Sequence, residues 1–244
     1  MISVRNLSKR FGDVVAVDGL SFDAPDNSIT GLLGPNGAGK TTTLRMLYGL
    51  QQPDGGSVAV DGADVGSDMM EACRRMGVFP DTIGLYDRLT TREHLHFYGE
   101  MHGLRGKALE EAIERTRSYF QLDDLLDRRC KGFSHGQQMK VALSRALIHH
   151  PKNLILDEPT NGLDVMSIRM LRELLSRLRD EGKCILFSSH VMQEVSALCD
   201  HICIMTEGRV VAEGSPEELC AQADEPSLEE AFIKLIGTEE GIAL

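Results

Sequence analysis

The sequence predicts an α/β fold in which helices cover a largely parallel sheet and a separate helical block is inserted into it. Three observations carry this. Strand-like apolar runs and helix-like segments alternate from about Asn153 to Met205, the pattern of strands joined by crossover helices. An apolar run over 28–33 opens directly into a glycine-rich loop and then a helical stretch. Between about Leu89 and His150 the strand signals give way to helical ones.

In chain order, short strands are expected at 14–17 and 20–22, separated by Asp18-Gly19, and at 28–33 after the Pro25-Asp26-Asn27 turn. Residues 41–48 suit a helix, and Gly49 is placed to end it in the left-handed conformation that few other residues accept. The helical block opens on Thr90-Thr91-Arg92-Glu93, whose ends can form a capping box, with Gly103 and Pro151 as stops. A strand at 154–156, a helix after Asp164 to about Arg179, a strand at 184–187, a helix after His190 and a strand at 202–205 complete the core. Two more helical stretches are expected at 217–221 and 228–236. The domain reading is therefore 1–216 for the main domain, with 89–150 inserted in it, and 217–244 for a small helical appendage.

With 244 residues, 42% of them apolar, the chain can bury a sizeable core. No stretch approaches the ~18 apolar residues of a membrane helix, and the opening residues lack the basic and apolar regions of a secretory signal. A cytoplasmic location is expected. The formal charge of −11 opposes sequence-independent binding of nucleic acid. Six cysteines without CxxC spacing read as reduced thiols; Cys199 and Cys203, with His201 between them, could suggest a metal site, but Cys203 in an apolar run reads better as a small buried hydrophobe.

The chemistry lies in three places. Gly34-Pro35-Asn36-Gly37-Ala38-Gly39-Lys40-Thr41 matches GxxxxGK[ST] between a strand and a helix, the context of a phosphate loop. Glycines let backbone N–H groups turn toward phosphate oxygens, and the start of a helix adds its positive end. Lys40 brings a cation to the β- and γ-phosphates, and the hydroxyl of Thr41 can ligate Mg²⁺. A second place is Asp157-Glu158, at the end of an apolar strand where open α/β sheets bind ligands. Asp157 is expected to hold Mg²⁺ through water, and Glu158 to polarise an attacking water. Third, His190 follows an apolar strand on the same side and is placed to hydrogen-bond a γ-phosphate.

Taken in order, these motifs resemble those of the ATP-binding subunits of ABC transporters over nearly the whole chain, from about Ile2 to Gly214. The discriminating segment is Phe133-Ser134-His135-Gly136-Gln137, which resembles the family's signature loop; without that context, Ser134 reads only as a helix cap. The resemblance implies a P-loop NTPase (RecA-like) core with an N-terminal antiparallel β subdomain and an inserted α-helical subdomain. It implies ATP and Mg²⁺ as ligands, with ATP hydrolysis coupled to transport. Two nucleotide-binding subunits, two copies of this chain in the simplest case, would sandwich ATP beneath a separate integral membrane permease, at the inner face of the cell membrane. Carried over position by position, Phe11 resembles the aromatic that stacks on adenine. Gly34, Pro35, Asn36, Gly37, Ala38, Gly39, Lys40, Thr41 and Thr42 line the nucleotide. Ser134, Gly136, Gln137 and Asp164 act across the dimer, and Glu158, His190 and Lys40 act in hydrolysis.

Two departures qualify the match. His135 replaces a signature glycine. Asp81, in Val78-Phe79-Pro80-Asp81, stands where most members carry a glutamine that touches the metal, so it joins Thr41 and Asp157 as an expected metal ligand. Together with the segments 84–90 and 227–232, Asp81 resembles the sodium-export and multidrug-export branch. Two other readings remain at this point: a soluble ABC ATPase of ribosome or repair function, and a degenerate nucleotide-binding regulator. The intact Glu158 weighs against the latter.

Overall fold

The computed structural model describes residues 1–240, so 241–244 of the expected appendage lie outside the described residues. Two sheets organise the fold. The larger has strand order β10-β9-β3-β8-β7-β6, made by β3 (Ser28–Leu33), β6 (Met76–Phe79), β7 (Asn153–Asp157), β8 (Cys184–Ser189), β9 (His201–Thr206) and β10 (Arg209–Gly214). Its neighbours pair in parallel except for the β9–β10 hairpin. Residues along its central strands alternate between two cores. Ile29, Leu33, Leu154, Leu156, Ile185, Phe187, Ile202 and Ile204 face one, whereas Leu32, Ile155, Leu186, Cys203 and Met205 face the other. Both faces are covered, so these strands read as unbroken apolar runs, each fully buried side chain contributing about 1.5–3 kcal/mol. Cys203 is thus a core residue, and burial pushes its thiol far above the usual range.

The second sheet, β2-β1-β4-β5, is antiparallel and packs over the other face of the core. It corrects the strand expectations at the N-terminus. Residues 14–17 and 20–22 belong to one strand, β2 (Val14–Ala24), and Gly19 adopts a positive φ within it rather than ending it. β1 (Ile2–Phe11), β4 (Gly55–Val60) and β5 (Ala63–Asp64) escaped sequence reading, as did β6 and β10. In β1 the buried residues Ile2, Val4 and Leu7 fall out of strict alternation because the register shifts between Val4 and Leu7.

Helix α1 (Lys40–Leu47) follows β3 through the glycine-rich loop and stops at Gly49, φ +72°, as expected. A short α2 (Met69–Arg75) leads into β6. The inserted block consists of α3 (Thr91–Met101), α4 (Gly106–Phe120) and α5 (His135–Leu147). The expected Thr90/Glu93 capping box opens α3. Helices α6 (Val165–Asp180) and α7 (Met192–Leu198) return the chain to the sheet. At the end, α8 (Pro216–Ala223) and α9 (Leu228–Glu240) place Leu219, Leu228 and Ile236 in the same core as α4 and α5.

Candidate nucleotide site

The site forms at the carboxyl ends of β3, β7 and β8, neighbours in the sheet. The loop after β3 is shaped by glycine. A Cβ on Gly34 would collide with the Met205 carbonyl, and one on Gly39, at φ +98°, with that of Ala16. Gly39 is also the N-cap of α1 and offers no side-chain acceptor, so the first amides of the helix stay free of a side-chain cap. Lys40 opens that helix and is buried; its Nζ donates to the carbonyls of Gly34 at 2.7 Å and Pro35 at 3.1 Å and lies 3.4 Å from Glu158 Oε1.

Parallel register sets Asp157 of β7 beside Ser188 of β8, and a continuous polar chain grows from that pair. Thr41 Oγ1 donates to Asp157 Oδ1 at 3.1 Å, and Ser188 Oγ donates to the same oxygen at 2.7 Å. The Glu158 amide in turn donates to Ser188 Oγ at 3.0 Å, and His190 Nδ1 lies 2.9 Å from Glu158 Oε2. Glu158 holds φ +47°, a conformation most residues avoid, which turns its carboxylate toward Lys40 and His190. The structure therefore brings Lys40, Thr41, Asp157, Glu158 and His190 into one group. Ser188 is the member sequence reading passed over; its signal was the polar Ser188-Ser189 pair ending an apolar strand.

Asp157 Oδ2 is buried with no hydrogen-bond partner among the described residues. Desolvation, followed by the neighbouring carboxylates of Asp81 and Glu158, raises the Asp157 carboxyl above the usual range, against the hydrogen bonds from Ser188 and Thr41. An orphaned carboxylate oxygen beside a threonine hydroxyl is a hard oxygen donor set that fits Mg²⁺.

A cleft of about 360 Å³ lies over this group, lined by Val14, Val15, Asn36, Gly37, Gly39, Lys40, Thr41, Thr42, Asp81, Glu158 and Asn161, among others. Asp81 reaches the cleft, but its carboxylate pairs with Arg45 of α1, Nη2 to Oδ2 3.2 Å. Pro35 and Ala38 shape the loop without lining the cleft, and Phe11 stands at the end of β1, 48% exposed, with Lys9 Nζ 5.6 Å from its ring centroid.

Ser134, Gly136, Gln137 and Asp164 do not line this cleft. Ser134 and Gln137 close a capping box on α5, Gly136 lies against Ser167, and Asp164 caps α6 by accepting the Ser167 amide at 2.8 Å. His135 Nε2 lies 2.8 Å from the carbonyl of Asn161, itself a lining residue of the cleft. Within one chain the signature-like loop is thus tied to the edge of the cleft without entering it.

The sequence pattern described as "ABC transporter" matches residues 17–161, from within β2 through the phosphate loop to Asn161. The chain belongs to the ABC transporter family. It is 43% identical over 224 residues to the ABC transporter ATP-binding protein NatA of Bacillus subtilis, covering 90% of this chain and 91% of that one. It is 41% identical to the Nod factor export ATP-binding protein I of Burkholderia lata, covering 89% of this chain and 72% of that one. A solved structure titled "Structure of ATP binding subunit of ABC transporter" superimposes with a TM-score of 0.88 at 29% identity, covering 97% of this chain and 99% of that one. The fold is that of an ABC ATP-binding domain, and the chain is an ATP-binding, ATP-hydrolysing subunit of an ABC transporter. Among the described residues no helix is long and apolar enough to cross a membrane.

Proposed function

We propose that this chain is the motor of an exporter, working as one of two nucleotide-binding subunits beneath a separate membrane permease, on the cytoplasmic face. The observation that carries the reading is the unbroken polar chain from Thr41 through Asp157, Ser188 and Glu158 to His190, with Lys40 Nζ 3.4 Å from Glu158. The loop amides from Gly34 to Thr42 cradle the phosphates of ATP, and Lys40 exchanges its carbonyl partners for phosphate oxygens. Thr41 and Asp157 hold Mg²⁺, which neutralises developing phosphate charge when bound. Asp81, paired with Arg45 in this structure, would offer a third oxygen to the ion. Glu158 orients the water whose oxygen attacks the γ-phosphorus as the bond to the ADP oxygen breaks. His190 steadies Glu158 and the γ-phosphate, and Phe11 stacks on the base.

From the second subunit, Ser134, Gly136, Gln137 and Asp164 face the nucleotide held by the first. Export is supported by the likeness to the Nod factor export protein, and sodium or a drug-like molecule is the cargo class the resemblance implied. The permease would sit near Leu85–Leu89, where Tyr86 and Phe97 are exposed around an open groove beyond the Asp81 loop, with Met101 exposed further along the same helix. Residues 1–216 form the ATP-binding domain in this reading, and the segment after them is its appendage.

The test is purification of the tagged chain from detergent-solubilised membranes of its host, with ATPase activity assayed on what co-purifies. Recovery of a polytopic membrane protein together with Mg²⁺-dependent hydrolysis is expected. Recovery of ribosomes or repair factors without a membrane protein would overturn the transport reading.

A further inference from the structure

Away from the nucleotide cleft, near the amino end of β8, a cavity of about 270 Å³ opens between α4 of the inserted block and α6 of the core. Its lining is unusual in a chain of net charge −11. Arg115, His150, Arg177 and Lys183 all line it, and Glu181 is the one carboxylate in its wall. That carboxylate is already engaged, because its Oε1 takes Arg177 Nε at 3.0 Å and the Tyr119 hydroxyl at 2.8 Å. Among the described residues, the side chains of the remaining basic groups have only backbone acceptors or none. Lys183 is 5% exposed and donates to the Pro151 carbonyl at 2.6 Å. Arg115 makes one long hydrogen bond, 3.4 Å to the Ile148 carbonyl. Among the described residues neither forms an ion pair.

A buried ammonium without a counter-ion is costly unless something anionic compensates it. The free chain meets that cost partly by holding the Lys183 ammonium below its usual range, because burial, helped by the nearby Arg115, outweighs the opposing pull of Glu181; burial, Lys183 and Arg115 likewise depress His150 against Glu181. Beside Thr116 and Tyr119, the rest of the wall is apolar, with Phe120, Leu147 and Leu178. Beyond Tyr119 and the Arg177 guanidinium, which lies 3.9 Å over the Tyr119 ring, a second cavity of about 250 Å³ continues along Met139, Leu143, Leu171 and Leu174. Lys140 and Glu173 also line that second cavity, so it is the first, with basic groups beside Phe120, Leu147 and Leu178, that defines the shape of a ligand.

We propose that this cavity is a binding site for a small amphipathic anion, a carboxylate or phosphate on an apolar body, with its head between Lys183, Arg115 and His150 and its body against Phe120, Leu147 and Leu178. The ligand bridges α4 of the inserted block and the α6–β8 connection of the core, so its occupancy reinforces a junction otherwise held by the Tyr119–Glu181 hydrogen bond, the Arg177 guanidinium over Tyr119 and apolar packing. Arg115 supplies the planar fork suited to either head group, and Lys183 the buried charge. The proposal stands apart from the transport reading, since none of these residues lines the nucleotide cleft.

The test is calorimetric titration of the whole chain with octanoate and octyl phosphate, against octanol as the same body without charge and inorganic phosphate as the charge without body. Both anionic probes are expected to bind at least tenfold more tightly than either control, and the tighter of the two identifies the head group. Arg115→Gln, on an exposed helix face, is expected to weaken binding of both probes about tenfold with ATP affinity unchanged; Lys183→Gln is expected to do the same, and Arg115→Gln keeps the test valid if the buried substitution fails to fold. Octanol binding as tightly as octanoate, inorganic phosphate binding as tightly as octyl phosphate, or full affinity in folded Arg115→Gln would each overturn the proposal.

Discussion

Two helix beginnings in this chain face the same chemistry in opposite states. At α1 the N-cap is Gly39, which has no side chain, so the first amides point into the phosphate loop without an internal acceptor. At α5 the N-cap is Ser134, whose hydroxyl accepts the Gln137 amide at 3.3 Å while Gln137 Oε1 accepts the Ser134 amide at 3.0 Å. The first helix start is open and the second is satisfied from within. An anion arriving at α1 gains donors that nothing else uses, whereas one arriving at α5 must displace hydrogen bonds worth about 0.5–1.5 kcal/mol each. This asymmetry suits the proposed dimer, in which the α1 loop would bind nucleotide in one chain alone and the α5 loop would contribute only when a second subunit presses ATP against it.

The largest effect that can break the comparison lies in the cleft. Glu158→Gln should lower turnover about 10²–10⁴-fold, the range for a lost acid–base group, while nucleotide affinity stays within about twofold, because the phosphate loop is untouched. Steady-state hydrolysis beside equilibrium binding checks it, and unchanged turnover would remove Glu158 from its role. Lys40→Ala should next weaken ATP binding by about 10–100-fold, the loss of a charged hydrogen bond, in a monomer and a dimer alike. If α5 shared the burden of binding in a single chain, that loss would be smaller.

On the other side of the comparison, Ser134→Ala should cost about 1 kcal/mol of stability through the lost cap, leave single-chain ATP affinity unchanged, and lower turnover only under conditions where two subunits associate. His135→Ala should have a smaller effect of the same kind, about 3–10-fold in turnover for one hydrogen bond, because it frees Asn161 from the signature-like loop. Measuring single-chain binding and concentration-dependent turnover in the same variants separates the two helix starts. A Ser134→Ala chain that loses ATP affinity as a monomer would erase the asymmetry.

Much of this was legible in the sequence wherever chemistry and burial coincide. The parallel strands β3, β7, β8 and β9 were readable because both their faces are buried, and their polar ends mark the cleft. The antiparallel sheet was largely invisible, since register shifts in β1 break its alternation, β4 opens on two glycines with few buried positions, and β5 has only two residues. Contacts between distant segments were also out of reach. Nothing local in Arg45 announces that it will hold Asp81, nor in His135 that it will reach the carbonyl of Asn161, because both contacts depend on how the loops meet after folding.

Acid gives the mildest perturbation and sharpens the comparison from another direction. The block that carries α5 is joined to the core in part by His149, which follows α5, stacks on His102 after α3 with ring centroids 3.6 Å apart, and donates Nε2–H to the Met76 carbonyl at 3.1 Å. Its Nδ1 is buried without a hydrogen-bond partner among the described residues, and burial, then His102, depresses its pKa from 6.5 to about 4, with Lys183 and His150 adding to the effect. A depressed histidine favours the neutral form in the folded chain, so the unfolded state binds the extra proton between these values. The stability it contributes is intact above about pH 6.5 and is lost progressively as pH falls toward about 4. Protonation places an N–H where no acceptor waits and sets two cationic rings face to face, so α3 and α5 should loosen first, while α1, far from any of these imidazoles in the chain, should hold. Amide hydrogen exchange between pH 6.5 and 4, corrected for intrinsic rates, should show α3 and α5 opening before α1, and His149→Gln should flatten that dependence. Simultaneous opening of α1 and α5 would mean that the two helix starts belong to one cooperative unit and that their difference ends at their caps.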